Sequence, residues 1–326
     1  MGLLVDGVWH DQWYDTGKTK GRFERQPSKF RHWVTADGSA GPSGEGGFPA
    51  EKDRYHLYVS LACPWAHRAL IFRKLKQLDD AISVSVVSYH MGKQGWTFDT
   101  ATGSTGDEIN HAKLLSEIYV KADPKFTGRV SVPVLWDKQR NTIVNNESSE
   151  IIRMFNSAFD KFTDVKTDYY PAELRGEIDR INDLVYPNIN NGVYRTGFAT
   201  TQDAYEEAFR ALFDALEQIE ERLSKQRYLA GGTITEADWR LFTTLIRFDA
   251  VYFGHFKCNW RRIVDYPNLS NYLRELYQVP QVAGTVDLDQ IKQHYYVSHP
   301  TVNPTGIVPL GPELDFSAPH DRARFK

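Results

Sequence analysis

The chain has 326 residues, enough for two domains, and its 41% hydrophobic and 25% charged content is that of an ordinary globular protein, not a disordered one. A net charge of −3 offers no general surface for nucleic acid or an anionic membrane. No run approaches the ~18 consecutive apolar residues of a spanning helix.

The start, Met1-Gly2-Leu3-Leu4-Val5-Asp6, is not expected to be a signal peptide, because Asp6 interrupts the apolar run. Asp6 also stands where a myristoylation signal needs Ser or Thr. Residues 1–50 are polar, rich in Gly and Trp, and read as an irregular arm. Residues 54–60 form a strand with Tyr55, Leu57 and Val59 on one face. A helix follows from Pro64, with Ile71, Leu75 and Leu78 at spacings of four and three. Alternating β-branched residues make 82–87 a strand, and 89–106, with four glycines, a long loop. A helix is predicted over 109–120, then short strands at 133–136 and 142–144, then a helix over 148–159 through Ile151, Ile152, Phe155 and Phe159.

That order is β-α-β, a long connection, then α-β-β-α, the order of a thioredoxin-like domain with mixed parallel and antiparallel strands. Beyond about residue 165 only helical patterns remain. Tyr205, Phe209, Leu212, Leu216, Ile219 and Leu223 form one apolar stripe predicted to be core. Thr235 and Asp238 make a capping signal before Leu241, Leu245 and Phe248. The tail from 299 to 326 carries five prolines and reads as irregular. The fold expected is α/β plus all-α: an arm and thioredoxin-like domain over 1–164, and an all-helical domain with an irregular tail over 165–326.

Chemistry concentrates at Cys63, in Ser60-Leu61-Ala62-Cys63-Pro64-Trp65-Ala66-His67-Arg68, where a strand turns directly into a helix. A lone cysteine is ordinarily a small buried hydrophobe. Here a helix N-terminus presents unpaired N–H groups and partial positive charge, which favour a thiolate. Pro64 suits the first helical position because its missing N–H is not needed there. Position 66 is alanine, so there is no Cys-x-x-Cys pair and a second thiol must come from elsewhere. The other cysteine, Cys258, lacks strand–helix context and reads as structural, so no disulfide framework exists and a reduced, cytoplasmic setting is expected.

In a thioredoxin-like fold Val132-Pro133 is the place for a cis-proline beside the active cysteine. Glu147-Ser148 starts the last helix of that domain; serine there is both a cap and part of an anion-ready helix start. His67 with Cys63 is half of a zinc site at best, and His90 and His111 add no supporting spacing, so no metal is expected. His67 and Arg68 read as helix residues.

The Cys63 segment, Gly95-Trp96-Thr97-Phe98, Asn190-Asn191-Gly192-Val193-Tyr194, Arg247-Phe248-Asp249 with Tyr252, the long arm and Asn303-Pro304-Thr305-Gly306 together resemble the Xi class of glutathione transferases, the glutathionyl-hydroquinone reductases. The resemblance covers essentially the whole chain. It implies glutathione as co-substrate with no tightly bound cofactor, lying against Trp96, Arg129, Val130, Ser131, Val132, Glu147 and Ser148. It also implies a homodimer, and Tyr194, Tyr252 and Tyr295 lining a pocket for a glutathionyl-hydroquinone. Each tyrosine alone would pass for a packed aromatic. Cys63 is then the nucleophile and Tyr194 the general acid. Bringing a thiol from ~8.5 down by two units takes about 2.7 kcal/mol, and a helix terminus supplies about 2 at best. The Val132 N–H and the Tyr252 and Tyr295 hydroxyls are the expected further donors. A broader thiol transferase or dehydroascorbate reductase, or a non-catalytic glutathione-binding module, are the alternatives.

Overall fold

The structure, a computed structural model, describes residues 2–325. It divides into two compact units. One takes the chain up to Trp13, Gln26–Thr167 and Asp289–His294; the other takes Tyr14–Arg25, Asp168–Leu288 and the chain from Tyr295 onward.

The first unit opens on a hairpin that the reading of an irregular arm missed. β1 (Leu3–Val5) pairs antiparallel with β2 (Val8–His10) across Asp6-Gly7. Both turn residues have positive φ, 47° and 78°, the conformation for which Asp-Gly is the favoured two-residue hairpin sequence. β1 also pairs with β5 (Gly128–Arg129), giving a three-stranded sheet β2-β1-β5.

The main sheet contains β3 (Tyr55–Val59), β4 (Ile82–Val86), β6 (Val134–Asp137) and β7 (Thr142–Asn145) in the order β4-β3-β6-β7. β3 and β4 are parallel, joined by the crossover helix α1 (Pro64–Leu75) that parallel strands require, and β6 runs antiparallel to β3 and β7. This is the expected thioredoxin-like arrangement. α1 packs on α3 (Ser148–Ser157), closing a core that includes Leu57, Val59, Ile71, Ile151 and Phe155, all fully buried.

The helix predicted over 109–120 is shorter: α2 is Leu115–Ala122. Asp107 explains the difference. Its carboxylate accepts the N–H groups of Ile109 and Asn110 at 3.1 and 3.2 Å, and of Ala112 at 3.1 Å, and His111 sits at φ 55°. Local side-chain bonds of this kind compete with the helix for the same donors.

The second unit is helical: α4 (Arg175–Val185), α5 (Gly192–Gly197), α6 (Gln202–Leu223), α7 (Glu236–Arg247) and α8 (Pro267–Tyr277). A final helix, α9 (Leu288–Ser298), contributes Tyr295 to it. Along α6, Leu212, Leu216, Ile219 and Leu223 are buried as predicted, but Tyr205 and Phe209 are only half-buried. The small Ala204 and Ala208 take the inner positions at that end, and Phe209 stacks on the exposed Trp260 at 5.8 Å. α7 begins with the predicted box: the Thr235 N–H donates to Asp238 Oδ2 at 2.7 Å. Its twelve residues are all buried. The tail is irregular apart from short turns, the last of them a 3₁₀ turn at Arg322–Arg324. Among the described residues no helix is long and apolar enough to cross a membrane.

Candidate active site

Cys63 is the N-cap of α1, with extended backbone (φ −78°, ψ 121°) and Pro64 at the first helical position. Its carbonyl accepts the His67 N–H at 3.0 Å, and its N–H donates to the Ser60 carbonyl at 3.2 Å. The first turn carries no acidic residue, so nothing on the helix offsets its positive end beside the sulfur. The side chain is half-exposed. Val132-Pro133 is cis, at the position where a thioredoxin-like fold can carry a cis-proline, and the Val132 carbonyl lies 3.6 Å from Cys63 Sγ. The group expected against the sulfur was the Val132 N–H; in the reduced protein the thiol instead has a carbonyl to which it donates.

At the start of α3, Glu147 is the N-cap. Its Oε1 accepts the Ser149 N–H at 3.1 Å and hydroxyl at 2.9 Å, and its Oε2 accepts the Ser28 hydroxyl at 3.1 Å. Burial pushes the Glu147 carboxyl up, but the Ser149 bonds, the Arg68 charge and the Ser28 bond outweigh it and hold the group below the usual carboxylate range. Ser148 is buried, and no group among the described residues accepts its N–H. An N–H left over at a helix start is what an anionic ligand would use.

Trp96 is buried and stacks on His294 with centroids 4.9 Å apart and planes 17° apart. Its indole N–H has no acceptor among the described residues. Buried donors are rarely left unmade, so a missing ligand acceptor fits this position.

The stretch from Arg129 to Val132 serves several ends. The Arg129 guanidinium donates to the carbonyls of Gln12 and, at 3.1 Å, Trp13. Val130 is buried core. The Ser131 carbonyl and N–H are held by the Tyr119 hydroxyl at 2.8 and 3.2 Å. Arg129 and Ser131 line a cavity of about 270 Å³ with Ser28, Lys29 and Asn146, to which Cys63 does not contribute. Val132 meets the sulfur through its carbonyl.

In the helical unit, the three tyrosines singled out by resemblance form one chain of hydroxyls. Tyr295 Oη is 2.5 Å from Tyr194 Oη and 2.9 Å from Tyr252 Oη. Tyr252 and Tyr295 are fully buried, at 0% and 1% exposure, and Tyr194 is the most open at 8%. Burial, then the neighbouring tyrosines, raises the Tyr252 and Tyr295 hydroxyls well above their ordinary value, so both stay protonated.

Two π-helical turns bring these residues in: Tyr186–Asn190 immediately precedes α5 and Tyr194, and Phe248–Tyr252 ends on Tyr252 itself. Such turns recur at functional sites because they re-aim side chains. Asn190 fastens the first by donating to the Arg240 carbonyl at 3.0 Å and Thr244 Oγ1 at 2.8 Å. Asp249 fastens the second by accepting the Ile263 N–H at 2.6 Å.

Several contributors escaped the sequence reading. Arg68, read there as a helix residue, is fully buried and donates to Ser148 Oγ at 3.3 Å. Arg25 sits over the Tyr194 ring, 5.0 Å from its centroid, tied to Asn191 Oδ1 at 3.2 Å. Tyr119 and His294 organise Ser131 and Trp96 as described. Arg68 ends the Cys63 segment, but its pairing with Ser148 spans 80 residues; Arg25, Tyr119 and His294 stand in no motif. Cys258 is buried, and burial raises its thiol far above the usual range, consistent with a structural cysteine.

Known proteins match this chain along its length. The family model described as glutathione S-transferase, N-terminal domain, matches residues 62–158, and the one for the C-terminal domain matches 202–275. The chain is 57% identical over 323 residues to the glutathionyl-hydroquinone reductase YqjG of Escherichia coli K12, covering 99% of this chain and 98% of that one. It is likewise 57% identical over 312 residues to the glutathionyl-hydroquinone reductase PcpF of Sphingobium chlorophenolicum, covering 96% of each. The glutathione-bound structure of YqjG superposes with a TM-score of 0.92 at 54% identity, over 99% of this chain and 100% of that one. A Xi-class transferase from Natrialba magadii gives 0.91 at 50%, over 100% and 97%. The chain therefore belongs to the glutathione transferase family, in its Xi class.

Proposed function

We propose that the protein is a glutathionyl-hydroquinone reductase, using glutathione as co-substrate and Cys63 as nucleophile. The observation that carries this reading is the half-exposed Cys63 at the start of α1 with no second thiol at hand: residue 66 is alanine, and Cys258 is buried in the helical unit. A nucleophilic sulfur so placed has to be resolved by a thiol from solution. Near-full-length identity to two reductases supports the choice of substrate.

The Cys63 thiolate attacks the glutathionyl sulfur, forming a Cys63–glutathione disulfide as the carbon–sulfur bond breaks. The ring carbon takes a proton, for which Tyr194 is the donor, and free hydroquinone leaves. A second glutathione attacks the mixed disulfide as its thiolate, releasing oxidised glutathione and restoring Cys63. The sum is glutathionyl-hydroquinone plus glutathione giving hydroquinone plus oxidised glutathione; carbon is reduced and two sulfurs are oxidised. Trp96, Val132, Glu147 and Ser148 hold glutathione, and Arg129, Val130 and Ser131 shape the ground beside it. Tyr252 and Tyr295 support Tyr194 through their hydroxyls. A cytoplasmic homodimer completes this reading, since reduced thiols suit the chemistry.

Mass spectrometry after incubation with glutathionyl-menadiol tests it. One glutathione on Cys63, absent in Cys63→Ser, is expected. No adduct together with fast reduction of a simple mixed disulfide would instead favour a general thiol transferase.

A further inference from the structure

Arg68 lies five residues after Cys63, on α1, and is 1% exposed. A guanidinium keeps its charge at any pH a protein meets. Burying one is unfavourable unless its surroundings use that charge. Two of its contacts bear on the site. Nη1 donates to Ser148 Oγ at 3.3 Å, and the guanidinium carbon stands 4.6 Å from the centroid of the Trp65 ring, which fixes its plane.

We propose that Arg68 is a positioning residue for the amino-acid end of glutathione, acting through Ser148 and Glu147. The proposal rests on the glutathione reading above and assigns the subsite its polarity. Arginine has only donors, whereas a hydroxyl has one hydrogen and two lone pairs. With Arg68 donating to Ser148 Oγ, the serine hydrogen is turned over to another acceptor. A carboxylate, which has no hydrogen of its own, is the matching ligand group, and the Ser148 N–H beside it is a second donor.

Glu147 has the opposite polarity. Its oxygens take Ser149 and Ser28 donors and have lone pairs left for an ammonium. The charged groups facing Glu147 are Arg68 from α1 and Arg31 from the arm. Arg31 donates to Glu150 through Nε at 2.7 Å, and the Arg68 charge is the one that helps hold the Glu147 carboxyl down. A carboxylate and an ammonium on one carbon, the γ-glutamyl end of the tripeptide, fit this donor–acceptor pair.

Calorimetric titration with S-methylglutathione, which cannot form a disulfide, tests the assignment across pH 4 to 8. Arg68→Met is expected to weaken binding about tenfold, the worth of one hydrogen bond to a charged group. The fall in affinity at acid pH is expected to begin at higher pH than in the wild type, because Glu147 loses its countercharge. Arg68→Lys keeps the charge and loses the fork, so it should bind several-fold more weakly with the acid limb unmoved. Wild-type affinity in either variant, or weaker binding in Arg68→Met with an unmoved acid limb, overturns the proposal; should Arg68→Met not fold, the lysine variant decides alone. Absence of binding to the wild type is a separate result, and overturns the glutathione reading beneath it.

Discussion

The hydroxyl oxygen of Tyr295 lies 2.5 Å from that of Tyr194, and 2.9 Å on its other side is Tyr252. Tyr295 is therefore the middle of the chain, and Tyr194 its more exposed end. If Tyr194 donates the proton to the departing ring carbon, Tyr194→Phe should lower kcat by about a hundredfold, the lower range for a lost general acid. Alkylation of Cys63 by iodoacetamide should be nearly unchanged. Tyr295→Phe should lower kcat by less, since Tyr194 keeps its hydrogen, while destabilising the helical unit by about 1–3 kcal/mol as buried hydroxyls lose a partner. Equal loss of turnover and alkylation in Tyr194→Phe would mean the ring only shapes the pocket.

The two cysteines should separate cleanly. Cys63→Ser is expected to abolish hydroquinone release, because serine offers no sulfur to form the mixed disulfide. Cys258→Ala removes a small buried side chain whose sulfur lies 3.8 Å from the Phe256 carbonyl and should leave turnover intact, with a stability loss of about 1 kcal/mol. Loss of turnover in a folded Cys258→Ala would make that thiol a resolving group.

The strand–Cys–Pro–helix junction, the cis-proline position and the capping box at Thr235 were legible because each is a local pattern with a local cause. The Asp6-Gly7 pair is itself a hairpin signal, but the surrounding glycines and polar residues make the whole arm read as loop. The helix over 109–120 failed for the opposite reason: its apolar residues suit a helix, but the Asp107 carboxylate claims its first donors. Arg68 on Ser148, Ser28 on Glu147 and His294 on Trp96 could not be read at all, since each pairing joins residues 80 or more apart whose spacing carries no period. Tyr194, Tyr252 and Tyr295 emerged only through family resemblance. Their hydroxyl chain depends on two π-helical turns that no simple helical periodicity announces.

His56 makes the first unit sensitive to acid. Burial lowers its pKa from 6.5 to about 4, and Nδ1 is 2.7 Å from Ser83 Oγ. Folded, the ring stays neutral; unfolded, it takes a proton below pH 6.5. Its contribution is thus fully present above 6.5 and is lost as pH falls to about 4. The loss amounts to roughly 3 kcal/mol. Urea unfolding at pH 7 and 4.5 should show a smaller pH effect in His56→Gln than in the wild type. An identical pH effect in both would show that other groups govern acid sensitivity.

Gly197 has no room for a side chain. A Cβ there would stand 2.1 Å from Cγ of the Phe256 ring, an atom close to the backbone that cannot swing away. Phe256 in turn stacks on Tyr252 at 5.6 Å and meets Tyr194 edge-on at 5.5 Å. Gly197→Ala should destabilise the helical unit by about 1–3 kcal/mol, as overpacking does. It should also depress turnover more than Cys63 alkylation, because the displaced ring carries the tyrosines with it. Wild-type turnover at reduced stability would uncouple Phe256 from the hydroxyl chain.

Trp96 separates binding from folding in a single substitution. Its indole N–H is buried with no acceptor among the described residues, and its ring stacks on His294. Phenylalanine keeps an aromatic face and removes the N–H. A donor that makes no bond in the ligand-free protein contributes nothing favourable there, so Trp96→Phe should change stability only through the smaller ring, by about 1 kcal/mol or less. If glutathione supplies the missing acceptor, S-methylglutathione should bind the variant roughly fivefold to tenfold more weakly, the worth of one hydrogen bond. Calorimetry together with thermal unfolding reads both effects in the same samples. Unchanged affinity in a stable variant would remove Trp96 from the glutathione site and leave its N–H without a function.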